Sequence, residues 1–165
     1  MKVRNLVLFV PVLALLASAC GDDEDDSFDA SLYAGTYAGT WTNTGNGTTG
    51  PATIAITVDE EAKTASLTLD FGGNYLGLGD PPAVTIAGVF DDERATVKGS
   101  DDLFGNYNVT IEKDGKITGL MENMAGGLIP KLSYTGTLTK STLDADYQVT
   151  FKDNSTANSV LKMTK

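Results

Sequence analysis

The chain has 165 residues, 41% of them hydrophobic, which suits one domain with a substantial core. It carries 22 acidic against 12 basic side chains and no histidine, for a formal charge of −10. That balance argues against nucleic acid or anionic lipid headgroups as partners. Without histidine there is no histidine-based catalytic triad, no histidine metal site and none of the commonest general base.

The first element is the apolar run 6–17, too short for a bilayer span, which needs about 20 apolar residues in a helix. It stands behind Lys2 and Arg4 and ahead of the small residues Ala17, Ser18 and Ala19, the layout of a secretory signal. Residues 1–19 are therefore read as a signal peptide and left out of the fold. The single cysteine follows at once in LLASAC, which resembles the lipobox of bacterial lipoproteins, with Ala17 where leucine is commoner. The resemblance implies that Cys20 receives a diacylglyceryl group, that cleavage occurs before it, and that the freed amine is acylated. The membrane is then a partner through the lipid on Cys20. Loss of Lys2 and Arg4 leaves 10 basic against 22 acidic side chains, 10 − 22 = −12. With no second cysteine the mature chain can form no internal disulfide, so packing must stabilise it.

Behind Cys20 come Asp22, Asp23, Glu24, Asp25 and Asp26. Consecutive acids repel and bury nothing, so residues 20–28 are expected to form a disordered tether, with the domain proper at 29–165. An acidic run in this place also resembles the export signal that sends some lipoproteins to the outer face of the outer membrane. A plain spacer is the alternative. The expected location is the cell envelope, as an outer-membrane lipoprotein open to the cell surface. A flexible acidic strand lacks the preorganised loop that holds calcium, so no metal site is expected there.

From residue 29 onward the hydrophobic pattern has period two and never a sustained helical period. Strands are predicted at 33–42, 52–58, 65–71, 84–90, 94–98, 107–112, 116–121, 132–138, 147–151 and 159–163, bounded by Gly, Pro, Asn and Asp clusters. In the opening phrase YAGTYAGTW, Tyr33, Gly35, Tyr37, Gly39 and Trp41 share one strand face, alternately large and small. Glycine there is expected to bend the strand and vacate volume for a neighbouring ring. Register can be argued at two hairpins. Pairing Ile56 with Leu67 and Ile54 with Leu69 puts the large apolar side chains on one face. At the second, a three-residue loop 113–115 with left-handed Gly115 opposes Ile111 to Ile117 and Tyr107 to Met121, whereas a two-residue turn would mix the faces. The expected fold is all-β, a single antiparallel up-and-down β-barrel of about eight to ten strands, with a β-sandwich as the alternative. A barrel is favoured because closure removes exposed edges.

Gly39, Thr40 and Trp41 resemble the Gly-x-Trp of the first strand in lipocalin-like (calycin) barrels. In that family the tryptophan closes one end and commonly packs against an arginine of the last strand. This chain has only Lys162 there. The resemblance implies a small apolar or amphipathic ligand held in the barrel, with Tyr37, Trp41, Leu69, Phe71, Met121 and Met124 as candidate ligand-binding residues. The alternative is a non-enzymatic structural module of the envelope with a packed barrel, contacting another protein or a glycan. The apolar segment 121–130 is read either as a lid over the mouth or as a corner packed on the core. No catalytic residue and no cofactor are expected. The acidic groups at 59–61, 91–93 and 101–102 fall at predicted turns, not in a cleft. A monomer is expected.

Overall fold

The computed structural model describes residues 27–165; Cys20 and the acidic run at 22–26 lie outside the described residues. Ten strands follow one another as β1 (Gly35–Asn43), β2 (Thr49–Asp59), β3 (Thr64–Phe71), β4 (Val84–Phe90), β5 (Arg94–Asp101), β6 (Gly105–Glu112), β7 (Lys116–Asn123), β8 (Ile129–Leu138), β9 (Thr142–Thr150) and β10 (Thr156–Thr164). Each pairs antiparallel with its sequence neighbours, and β1 pairs with β10 to close the barrel. The fold is thus a closed, ten-stranded up-and-down barrel and not a sandwich.

Period-two alternation decides what lies inside. On β2 the inward set is Ala52, Ile54 and Ile56; on β9 it is Leu143, Ala145, Tyr147 and Val149, all buried. Both argued registers are observed, Ile56 opposite Leu67 with Ile54 opposite Leu69, and Ile111 opposite Ile117 with Tyr107 opposite Met121. Gly115 has φ +80° and its N–H donates to the Glu112 carbonyl at 2.8 Å, the left-handed bulge the face argument requires.

Two features at the start of the domain differ from the sequence reading. Tyr33 belongs to a short 3-10 helix, Ala30–Tyr33, and not to the first strand. Asp29 caps that helix by accepting the Ser31 N–H at 3.0 Å, and the strand begins only at Gly35, whose φ of +132° redirects the chain. Phe28, assigned from sequence to the tether, is docked in the barrel: it is buried, its N–H donates to the Asp92 carbonyl at 2.7 Å, and its ring packs 5.6 Å from that of Tyr33. A large aromatic buries too much apolar area to remain in a solvated leash.

The ladder is uneven in one place. β4 and β5 pair only through Gly88 with Val97, Val89 with Thr96 and Phe90 with Ala95. Residues 84–87 and 98–101 have no partner across that seam, and Gly99, which faces inward by parity, is exposed. Two ion pairs are seen among the described residues, Lys63 with Glu60 and Arg94 with Glu112, both at half-exposed surface positions. Pairs of that kind are worth at most about 1 kcal/mol, so the barrel rests on its interior and its ladder.

Candidate functional site

The interior holds an almost wholly apolar cavity of about 110 Å³. Its walls come from strands all round the barrel, including Ile54, Leu69, Val97 and Leu132. Both ends of the barrel are sealed, each by aromatic side chains.

At one end the loop between β3 and β4 folds a short 3-10 turn, Tyr75–Gly77, back over the opening. Tyr75 is 5% exposed, stacks on Phe71 with ring centroids 4.5 Å apart and an interplanar angle of 10°, and meets Trp41 edge-on at 5.5 Å. The Trp41 indole N–H donates to the Gly72 carbonyl at 2.9 Å, which fixes the loop to β1. Such ring pairs contribute about 0.5–1.5 kcal/mol each beyond their buried area. They offset the left-handed backbone of Leu76, φ 53°, a conformation that costs about 1–2 kcal/mol for a side-chain-bearing residue. Phe104 and Met124, both buried, complete this end. At the opposite end Phe28, Tyr33, Tyr37 and Phe90 pack together, and the Tyr37 hydroxyl is shared between the carbonyls of Thr139 at 2.9 Å and Tyr33 at 3.2 Å.

The segment 121–130 is a packed corner. Met124 and Ile129 are buried within it, and its one outward apolar side chain is Leu128, 59% exposed. The interior glycines act differently from the expectation at β1. Gly39 permits close approach of the β10 backbone at Lys162 and Met163, while Trp41 lies over Gly50 of the next strand. The clearest ring seat is Gly119, whose missing side chain is replaced by the ring of its cross-strand partner Tyr134.

Among the candidate residues read from sequence, Leu69, Phe71 and Met121 line the cavity. Tyr37, Trp41 and Met124 do not: Tyr37 belongs to the far seal, while Trp41 and Met124 stand behind the cavity wall at the near seal. Sequence reading missed the three phenols that reach the cavity, Tyr75, Tyr134 and Tyr147. Tyr147 was legible as an inward position on β9 and Tyr134 as one on β8, each two residues from an apolar neighbour. Tyr75 was not, because it enters from a Gly-rich loop with no periodicity.

These hydroxyls are the cavity's polar side-chain groups; no charged side chain lines it. Burial pushes all three phenols up from their ordinary pKa, Tyr75 and Tyr134 far up, so they remain neutral donors. Tyr75 and Ser159 lie beside the Tyr147 hydroxyl, yet that oxygen is buried with no hydrogen-bond partner at bonding geometry. The acidic groups singled out in the sequence serve the turns instead. Asp59 accepts the Ala62 N–H, Asp91 those of Glu93 and Arg94, and Asp101 those of Leu103 and Phe104. Among the described residues no group of His, Cys, Asp and Glu side chains is arranged to hold a metal ion.

The fold and site define a closed antiparallel barrel with sealed ends and a small lipophilic interior. No family model matches the sequence, and no curated protein does. Among solved structures the chain is similar to a protein of unknown function from the DUF3598 family of Nostoc punctiforme, at 9% identity and a TM-score of 0.59. The match covers 84% of this chain and 49% of that one, so the chain spans about half the length of its structural neighbour. At that identity the likeness is one of fold alone.

Proposed function

We propose that the protein is a membrane-anchored envelope lipoprotein whose lipocalin-like barrel holds a small amphipathic molecule in its interior. The observation that carries the reading is the apolar interior cavity, lined by a tyrosine whose hydroxyl makes no hydrogen bond at bonding geometry. Its volume limits the occupant. Drug-sized ligands occupy pockets of about 300–1,000 Å³, so haem and retinoid-like molecules are too large for this state of the barrel. A dry apolar cavity of about 150 Å³ is known to take up benzene, and about 110 Å³ suits a molecule of that order or slightly smaller. With both ends sealed, the half-paired β4–β5 seam offers a way in, because Ile86 and Val97 beside it also line the cavity.

A second reading, the structural or interaction module, is favoured by one specific observation: the aromatic seals and the corner at 121–130 leave most of the interior solidly packed. Uptake of a small hydrocarbon separates the two. Trp41 is the only tryptophan, and its indole N–H, donated to Gly72, gives a single NMR resonance one ring away from the cavity through Tyr75. Titrating the intact lipoprotein in nanodiscs with benzene should shift that resonance saturably. A signal that does not move up to the solubility of benzene assigns the barrel to the module reading.

A further inference from the structure

We propose that the cavity selects an uncharged, largely apolar molecule bearing one hydrogen-bond acceptor, which receives the hydroxyl proton of Tyr147. The inference rests on the ligand-binding reading above and names the class of ligand. Three observations support it. The Tyr147 hydroxyl, on a side chain only 7% exposed, makes no hydrogen bond at bonding geometry although the hydroxyls of Tyr75 and Ser159 stand beside it, and an unmet buried donor is normally matched by something. The rest of the lining is apolar apart from the hydroxyls of Tyr75 and Tyr134. No lysine or arginine lines the cavity to meet a negative charge, and an isolated buried carboxylate is strongly disfavoured. A ketone, ester or ether oxygen on a small hydrocarbon frame satisfies all three conditions, whereas a hydrocarbon leaves the hydroxyl unmet and a carboxylate arrives without a counter-charge.

The test compares near-isosteric probes, cyclopentanone and methylenecyclopentane, with butyrate as the anion, each titrated against the Trp41 indole resonance of the intact lipoprotein in nanodiscs. Absolute affinities of ketone and hydrocarbon differ through their hydration, so the informative quantity is the effect of Tyr147→Phe on each. The variant should weaken cyclopentanone about fivefold, the size of one ordinary hydrogen bond. It should leave methylenecyclopentane within about twofold, which also shows that the barrel still folds. Butyrate should not bind to either protein. If Tyr147→Phe weakens both neutral probes equally, or neither, the hydroxyl contributes packing or is met by Tyr75, Ser159 or an ordered water, and the inference falls while the ligand-binding reading stands. Butyrate binding as tightly as the ketone overturns the uncharged class. If neither neutral probe shifts the resonance of the parent protein, the ligand-binding reading fails and takes this inference with it.

Discussion

Six tyrosines are distributed through this barrel, and each has its phenol pushed above the ordinary value, in every case first by burial. The sign of the linkage follows. A phenol whose pKa is raised on folding keeps its proton longer in the native state than in the unfolded one. Its contribution to stability is complete below the unfolded value near 10 and is lost as pH rises above it. Absorbance of the native protein followed upward through pH 10 should therefore show little phenolate, then a cooperative rise coincident with loss of β-sheet circular dichroism. Stepwise ionisation of several tyrosines in a folded barrel at pH 10 would contradict the burial of those rings.

At the scale of elements, two neighbouring hairpins behave differently for reasons visible in their chains. The β6–β7 hairpin is fixed by the position of Gly115: the faces match only if the loop has three residues, and a glycine stands where that loop needs a positive φ. The β4–β5 hairpin shares a well-formed acidic turn, with Asp91 accepting two backbone N–H groups, yet its ladder stops after three residue pairs. Amides 84–87 retain β3 on their other side and 98–101 retain β6, but neither set has a partner across the seam. Local opening is cheapest where the ladder is thinnest. Native-state hydrogen exchange should therefore place 84–87 and 98–101 among the fastest strand amides, with the centres of β8, β9 and β10 slowest. Equal protection all round the barrel would remove the seam as the proposed route to the interior.

For the whole molecule, charge and anchorage set the expectations. The chain carries a formal charge of −10, which becomes 10 − 22 = −12 if residues 1–19 are cleaved as proposed, so attraction to an anionic lipid surface does not substitute for the proposed lipid anchor. Replacing Cys20 with alanine should move the protein from the detergent phase to the aqueous phase and block normal processing, because acyl chains gain about 0.8 kcal/mol per buried methylene. Retention in the membrane without Cys20 would refute the lipoprotein reading. Changing Asp22, Asp23, Glu24, Asp25 and Asp26 to alanine should leave lipidation intact and reduce protease access on whole cells if the run is an export signal; unchanged access leaves it a spacer.

The sequence by itself determined the fold class, nearly every strand and two registers, because in a sheet with one face buried the inward side chains must recur every second residue. Shifting Ile54 or Ile111 by one place would turn a whole strand's apolar set toward water. The same alternation carries the direction of Tyr134 on β8 and Tyr147 on β9, two positions that the reading of the sequence left unassigned. The tertiary structure alone decided how much room remained. Whether an inward Leu69 or Met121 lines a cavity or meets a neighbour depends on side chains from strands distant in the chain. The plug at Tyr75 comes from a loop with no repeating pattern to betray it. Phe28 was misplaced because it is held by partners remote in sequence, Asp92 and Phe90, whereas Tyr33 was misplaced because the Asp29 cap and Gly35 keep it in a short helix outside the strand. Periodicity records which way a side chain points, and only closure of the barrel sets what it meets there.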